Sequence, residues 1–171
     1  FEPVDVLRLP EYEEQKIFIP PLLEILQYCY ERNFTHIHSA TPGPVGLAGL
    51  AISRILKAPF CTTYHTAIPQ YAGRLTGDPA IERMAWSATI WFYQQADVVY
   101  SLSDATTEEL IEKGIAADRI RQIPRGVDTE RFSPSKRRAD IPLPNGGPRI
   151  LYVGRVSKEK NLDVLARAFA G

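Results

Sequence analysis

The sequence predicts an α/β protein with a Rossmann-like parallel sheet and helices on both faces. Two observations predict this fold. Short apolar segments alternate with segments of roughly 10 to 18 residues whose apolar side chains recur at helical spacing, and glycine or proline stands between most of them. Strands separated by helices of that length are joined by right-handed crossovers, which make the strands parallel.

The segments read as strands are short and rich in apolar, β-branched or aromatic residues. The first alternates apolar and polar residues and stops at Pro10. The predicted strands are residues 4–9, 36–38, 60–64, 97–102, 120–123 and 149–153.

The segments read as helices cover residues 18–32, 44–57, 79–95, a stretch ending at Gly114, and 161–170. In the third helix an apolar stripe is predicted to face inward; it consists of Ile81, Met84, Ala88 and Trp91. The fourth helix has two alternative starts, an N-cap at Ser103 or a capping box formed by Thr106 and Glu109. Residues 65–78 are predicted to be irregular.

Composition divides the chain at residues 135–148, which combine three basic residues with prolines and glycines and are predicted to be a linker. Residues 1–134 then form one partial lobe, and residues 149–171 form the first strand and helix of a second, truncated lobe. Because the chain opens at Phe1 without methionine and closes at Gly171 inside a helical pattern, we expect a fragment of a longer protein.

Charge and cysteine usage exclude several classes of protein. Lys and Arg number 20, as do Asp and Glu, so the net charge is zero and a nucleic-acid binder is disfavoured. Neither a membrane-spanning run nor a signal-peptide pattern occurs. Cys29 and Cys61 lack metal-ligand spacing, which favours reduced thiols in a cytoplasmic protein.

In a parallel sheet, ligands bind beyond the carboxyl ends of the strands, so the loops that follow the strands are the candidates. The loop after residue 153 contains Gly154, Arg155 and Lys160 ahead of a helix. A glycine, a guanidinium, an ammonium and a helix N-terminus suit a diphosphate. A solvated basic turn is the alternative.

Histidines follow two other strands. His65 comes directly after residues 60–64, between Tyr64 and Tyr71, where an imidazole could bind a hydroxyl or phosphate and the phenol rings could stack on a sugar. His38 is near the end of its strand, followed by a loop from Ser39 through Gly43 to Gly46. Because His36 and His38 alternate along a strand, they do not suit one metal ion. The aromatic segment around Trp86 and Trp91 is predicted to be core.

Two motifs carry a resemblance to a known family. Residues 123–134, IPRGVDTERFSP, and residues 149–155, RILYVGR, followed by Glu159, Lys160 and Asn161, resemble the signatures of the group 1, or family four, glycosyltransferases. The chain departs from those signatures at Arg125, where the family usually has asparagine, and at Asn161, where it usually has glycine.

The resemblance implies a GT-B enzyme that transfers a hexose from a nucleotide-diphosphate sugar (UDP, GDP or another) to a sugar or lipid acceptor with retention of configuration. It implies no metal and no bound cofactor. Residues 1–134 would be the acceptor lobe and residues 149–171 the start of the donor lobe. The implied catalytic residues are His65, Arg155 and Lys160; the donor-binding residues are Gly154, Arg155 and Lys160; the acceptor-binding residues are His38, Ser39, Gly43, Tyr64 and Tyr71. The resemblance places His65 across a cleft from the two cations, and we expect this fragment alone to be inactive.

Two other readings stay open at this stage. One is a non-catalytic Rossmann-like module for binding or assembly, dimerising through residues 149–171. The other is a different GT-B enzyme, such as a sugar-nucleotide epimerase. Peripheral association with the inner face of a membrane is also left open.

Overall fold

A computed structural model describes residues 1–9, 12–123, 126–137, 150–154, 156–157 and 160–170, with only the backbone at residues 9 and 12–15. The chain forms two compact units, Phe1–Pro124 and Arg125–Gly171. Each unit is described by itself.

The first unit contains six strands and five α-helices in the part that the structure describes. In chain order they are β1 (Asp5–Leu9), β2 (Tyr12–Ile19), α1 (Leu22–Glu31), β3 (Ile37–Ser39), α2 (Pro44–Leu56), β4 (Phe60–Thr63), α3 (Ile68–Thr76), α4 (Pro79–Gln94), β5 (Val98–Ser101), α5 (Asp104–Glu112) and β6 (Ile120–Gln122).

Strands β3, β4, β5 and β6 pair in that order, and every pairing is parallel. In register, Ser39 lies opposite Thr62, and Thr63 lies opposite Tyr100. The α/β fold with a parallel sheet flanked by helices is therefore confirmed.

The first strand departs from this pattern. β1 pairs antiparallel with β2 in a separate two-stranded sheet, with Val6 opposite Phe18. β2 was not predicted, because its first half is Tyr-Glu-Glu-Gln-Lys and shows no apolar alternation. The following helix accordingly begins at Leu22 rather than near Phe18.

A second unpredicted element is α3, which occupies much of the segment expected to be irregular. The sequence carries its signals: Pro69 lies in the first turn, and Gly77 after the last turn adopts a φ of 69°. Proline near a helix start and a left-handed glycine after its end are common boundaries. α3 packs on α4.

The core of the first unit lies between the sheet and the helices. Phe60, Val99 and Leu110 are fully buried, and Phe60 meets Phe92 edge to face with ring centroids 5.7 Å apart. Phe92 and Tyr93 of α4 are also buried, which confirms the predicted aromatic core for these two residues, but Trp91 of the same segment is exposed and the prediction is wrong for it. The free thiol of Cys29 is buried as well.

The predicted inward stripe of α4 faces outward. Met84 is 67% exposed and Trp91 is 52% exposed, and Ala88 between them is exposed too. The face that is buried carries Thr89, Phe92 and Tyr93. Because apolar residues occur on both sides of this helix, their periodicity does not determine which side is buried, and the predicted side is wrong.

Side-chain caps fix the starts of two helices. The Asp78 carboxylate accepts a 2.7 Å hydrogen bond from the Ala80 amide at the start of α4. The Ser103 hydroxyl accepts a 3.2 Å bond from the Thr106 amide at the start of α5. Of the two predicted starts for α5, the N-cap at Ser103 is therefore the one observed.

In the second unit, the described residues include a short 3₁₀ turn (Pro134–Lys136) and α6 (Leu162–Ala170), which confirms the predicted helix. Residues 150–153 are not in a strand, and the prediction is wrong for them. A strand needs a neighbour to accept its backbone hydrogen bonds, and none of the described segments pairs with these residues. Their side chains are exposed, Leu151 by 86%.

Candidate functional site

The carboxyl ends of β3 and β4 bring two predicted residues and two unpredicted ones together. The Nε2 atom of His38 lies 2.9 Å from the hydroxyl of Thr63. The imidazole also lies parallel to the ring of Tyr100 on β5, with centroids 5.7 Å apart. His65, two residues after Thr63, is exposed and close enough to influence His38 electrostatically. The parallel register therefore gathers polar groups from three strands.

The His38 side chain is exposed overall. Partial burial of the ring nevertheless lowers its pKa below the ordinary value of 6.5, and the nearby His65 lowers it further. Both effects disfavour the charged imidazolium. At neutral pH His38 is therefore a neutral ring that can donate at one nitrogen and accept at the other.

Two side-chain hydrogen bonds fix the start of the loop from Ser39 to Gly46. The buried Ser39 hydroxyl donates to the carbonyl of Thr41 at 3.1 Å, and the Thr62 hydroxyl donates to the carbonyl of Ser39 at 2.8 Å. Gly43 has φ 153° and ψ −177°, a conformation that is essentially restricted to glycine. Ser39 thus shapes this loop, and its hydroxyl is already used within it.

Tyr64 does not present its ring to a ligand, as its predicted acceptor contact would require. It is only 5% exposed, and its ring packs edge to face on Tyr93 at 5.6 Å. Burial, followed by the proximity of Glu109, raises its pKa to about 12. Tyr64 is buried because it directly follows Thr63, the last residue of β4, and continues that buried strand.

Beside Tyr64, the Gln70 amide links α3 to α5 by donating a 2.7 Å hydrogen bond to Glu109. The same amide lies close enough to Tyr64 to lower its pKa slightly, but not in hydrogen-bond geometry. Within the described chain, the Tyr64 hydroxyl and the Gln70 side-chain oxygen are buried without a hydrogen-bond partner. Tyr71, on the same helix, is partly exposed.

Three residues of this region were missed from the sequence: Thr63, Tyr100 and Gln70. For Thr63 and Tyr100 the signal is the register of β4 against β5, which sets the two residues opposite each other. That register depends on the order of strands in the sheet, and sequence periodicity does not give strand order. Gln70 lies on α3, a helix that was not predicted from the sequence.

In the second unit, the described candidates are Gly154 and Lys160, both exposed. Arg155 lies outside the described residues. Lys160 stands two residues before α6, and between them Asn161 has a φ of 51°. The left-handed conformation is open to glycine and tolerated by asparagine, which explains why asparagine can replace the family's usual glycine here.

Two absences hold for the described residues. Among them, no three His, Cys, Asp or Glu side chains come together in a way that could hold a metal ion. In the same part of the chain, each helix is too short or too polar to cross a bilayer.

A Rossmann-like parallel sheet with polar side chains at its carboxyl edge is the architecture of one lobe of a GT-B glycosyltransferase. The sequence model of the family described as Glycosyltransferase Family 4 matches residues 2–131. The chain belongs to that family.

Curated relatives agree with this membership. Sulfoquinovosyl transferase SQD2 of Arabidopsis thaliana is 36% identical over 135 residues, covering 75% of this chain and 26% of the relative. A GDP-mannose-dependent alpha-mannosyltransferase of Mycobacterium tuberculosis is 36% identical over 132 residues, covering 75% and 34%. An alpha-monoglucosyldiacylglycerol synthase of Streptococcus pneumoniae is 23% identical, covering 99% and 42%. The chain thus spans less than half the length of each of these relatives.

The fold is also similar to that of a solved structure. Anabaena Alr3699/HepE, crystallised in complex with UDP, superposes with a TM-score of 0.52 at 19% identity, covering 67% of this chain and 29% of that one.

Proposed function

We propose that the whole protein transfers a hexose from a nucleotide-diphosphate sugar to a carbohydrate or lipid-linked acceptor, with retention of anomeric configuration. The observation that carries the proposal is the family match over residues 2–131, together with relatives whose names are those of glycosyltransferases. A nucleotide-diphosphate sugar as the donor is supported by the mannosyltransferase, whose name specifies GDP-mannose, and by the UDP bound by the Anabaena protein.

On the donor side, Gly154, Arg155 and Lys160 are proposed to bind the diphosphate. Lys160 is exposed and stands just before the N-terminus of α6, where the helix dipole also favours an anion. Cations at this position would stabilise the negative charge that develops on the diphosphate as the sugar departs. Arg155 and Lys160 are therefore proposed as catalytic.

On the acceptor side, His38, His65, Gly43 and Tyr71 are proposed to contact the sugars, and Ser39 is proposed to hold the loop that carries Gly43. Nε2 of His38 is engaged with Thr63, so Nδ1 is the ring nitrogen proposed to hydrogen-bond an acceptor hydroxyl. The exposed His65 is proposed to contact the transferred sugar. Because the imidazole of His38 is neutral, it can bind a hydroxyl without adding charge.

In the proposed reaction, the acceptor hydroxyl oxygen bonds to the anomeric carbon while the bond from that carbon to the diphosphate oxygen breaks. The hydroxyl proton leaves with the released nucleoside diphosphate. No other reactant is needed.

The test is to incubate the whole protein with UDP-glucose or GDP-mannose and a panel of sugar and lipid acceptors. We expect nucleoside diphosphate release that depends on an acceptor, and an NMR coupling at the new glycosidic linkage that matches the donor's anomeric configuration. Inversion would overturn the retaining assignment. The absence of donor consumption with every acceptor would overturn the transferase assignment.

We also propose that the second unit associates with a second copy of itself. Leu151, Val153 and Val156 are apolar and largely exposed in the described part of this unit. Removing such surface from water is favourable, and a copy of the same segment is a ready partner.

A further inference from the structure

An apolar cavity of about 310 Å³ lies in the first unit, between the start of α2, the start of α3 and the outer part of α4. Its walls include Leu47, Ile68, Ala88, Trp91 and Phe92. None of the residues around it is charged, and the polar side-chain groups among them are the hydroxyl of Thr89 and the indole N–H of Trp91. The volume is near the lower end of the range for small-molecule sites.

The exposed stripe of α4 continues the cavity onto the surface. Ala88 and Trp91 belong to both, and Met84 extends the stripe by one turn. A contiguous apolar surface that leads into an apolar cavity marks a binding site more than it marks ordinary exposure. Trp91 at the rim has the amphipathic ring that suits a boundary between hydrocarbon and water.

The cavity also reaches the loop assigned to the acceptor. Pro42 and Gly43 line it, and Gly43 is in the loop that Ser39 shapes. A molecule bound here would therefore end beside the polar edge that carries His38.

The chemistry of the walls selects the occupant. A peptide would bring a series of backbone N–H and C=O groups that need partners, and one hydroxyl and one indole N–H cannot satisfy them. A hydrocarbon chain needs none. With about 30 Å³ for each water-sized group, the cavity has room for roughly ten methylene-sized groups.

We infer that this cavity binds the hydrocarbon chain of a lipid acceptor, with the head group at the Ser39–Gly43 loop. That the bound lipid is the acceptor rests on the proposed function. Binding of a hydrocarbon chain in the cavity can be tested without it.

Tryptophan fluorescence reports on the cavity directly. The chain has two tryptophans: Trp91 lines the cavity, and Trp86 lies under the ammonium of Lys113 at 4.7 Å from the ring centre. Trp86→Phe leaves the tryptophan that lines the cavity, and Trp91→Phe leaves the one that is not part of its walls. The probes are straight-chain bromoalkanols of increasing length, whose bromine quenches tryptophan on contact.

We expect saturable quenching of Trp91 and weaker quenching of Trp86. Affinity should rise roughly fourfold with each added carbon, and it should level off near ten carbons as the cavity fills. Non-saturable quenching that is equal for both tryptophans and keeps rising with chain length would overturn the inference, because it would indicate non-specific partition.

A blocking variant and its matched control sharpen the test. Ala88→Phe adds an aromatic ring at the cavity wall, and Ala80→Phe adds the same ring on the same helix at an exposed position outside it. We expect at least a tenfold loss of bromoalkanol affinity for the first and no change for the second. Leu47→Gln, at a half-exposed wall position, should weaken binding as well. Unchanged affinity in both wall variants would overturn the site.

Failure of this inference is distinguishable from failure of the proposed function. If saturable binding is absent but the whole protein consumes donor when an acceptor is present, the hydrocarbon site is contradicted and the transferase proposal is supported. Saturable binding without donor consumption keeps the hydrocarbon site and removes the acceptor role.

Discussion

The imidazole of His38 lies parallel to the phenol ring of Tyr100, with the two planes 2° apart. Its Nε2 is at the same time 2.9 Å from the hydroxyl of Thr63. Because Thr63 and Tyr100 are opposite each other on β4 and β5, the pairing of those two strands orients a side chain from β3. The polar edge of the sheet is thus built by strand register and not by any one loop.

The first prediction concerns the pKa of His38. His65→Gln removes the nearby positive charge, so the pKa of His38 should rise, while remaining below 6.5 because burial is the larger cause. An NMR titration of the imidazole C–H signals measures it. His36→Gln, an exposed histidine hydrogen-bonded to Thr35, is the control and should leave the pKa of His38 unchanged. A fall or no change in the His65 variant would contradict the assignment.

The lowered pKa of His38 also predicts how the stability of the protein changes with pH. The folded pKa of His38 is below the unfolded value of 6.5, so between the two values the unfolded chain binds more protons. The contribution of His38 to the free energy of unfolding is therefore complete above pH 6.5 and falls as the pH drops through this window. In His38→Gln, denaturant titrations should show a weaker loss of stability on acidification.

The second prediction compares two glycines of α2. A Cβ at Gly46 would collide with the carbonyl oxygen of Thr41 and lie 3.1 Å from the ring of Phe92. Gly46→Ala should cost about 1–3 kcal/mol of stability. At Gly49 the nearest atom would be 3.5 Å away, an ordinary contact. Gly49→Ala should therefore gain up to about 1 kcal/mol from helix propensity. Equal effects in chemical denaturation would contradict this packing.

The third prediction compares two buried tyrosines. The Tyr93 hydroxyl donates to the carbonyl of Thr63 at 3.3 Å, whereas the Tyr64 hydroxyl has no partner in the described structure. Tyr93→Phe should cost about 1 kcal/mol, and Tyr64→Phe should leave stability unchanged or raise it by about 1 kcal/mol. Thermal unfolding of the two variants measures the difference. A larger loss in Tyr64→Phe would show that its hydroxyl is satisfied.

The same tyrosine offers a spectroscopic check. With its pKa raised to about 12 by burial, Tyr64 should ionise well after an unperturbed tyrosine in an ultraviolet titration, and Tyr64→Phe should remove amplitude from that late phase.

The fourth prediction concerns self-association of the second unit. Leu151→Asp with Val153→Asp places two charges on its exposed apolar surface. On dilution, the dimer of this variant should therefore dissociate at a higher protein concentration than the dimer of the unaltered protein. Sedimentation velocity over a concentration series measures this. Val4→Asp, an exposed residue of the first unit, is the control. If the unaltered protein is a monomer at every concentration, the proposed association is contradicted.

Much of the fold could be predicted from the sequence because its signals are local. Helix α2 begins at Pro44, and Ser103 caps α5, as the sequence indicates. Each of these boundaries depends on residues within one turn of it.

The errors arose where the outcome depends on distant partners. α4 is apolar on both sides, and only its packing on the sheet decides that Phe92 is buried and Met84 is exposed. Residues 150–153 have the composition of a buried strand but find no strand partner among the described segments. The sequence predicts a ligand contact for Tyr64 because it stands next to His65, yet Tyr64 is still buried and only His65 of the two is exposed.

The candidate site followed the same division. The loops that hold it, with His65 and Lys160 in them, could be named from the alternation of strands and helices, and the resemblance supplied the roles expected of these two residues. Thr63 and Tyr100 could not be found, because they act on His38 through strand neighbours that the sequence does not reveal.

The most direct measurement of the central claim is the turnover of a nucleotide-diphosphate sugar by the whole protein carrying His65→Ala or Lys160→Ala. His36→Ala and Lys136→Ala, both exposed residues outside the proposed site, are the matched controls. We predict a loss of about 10²-fold or more in kcat for each site variant, because each removes a group that is proposed to contact the transferred sugar or the diphosphate in the transition state, and turnover close to normal for the controls. Normal turnover in both site variants would contradict the account.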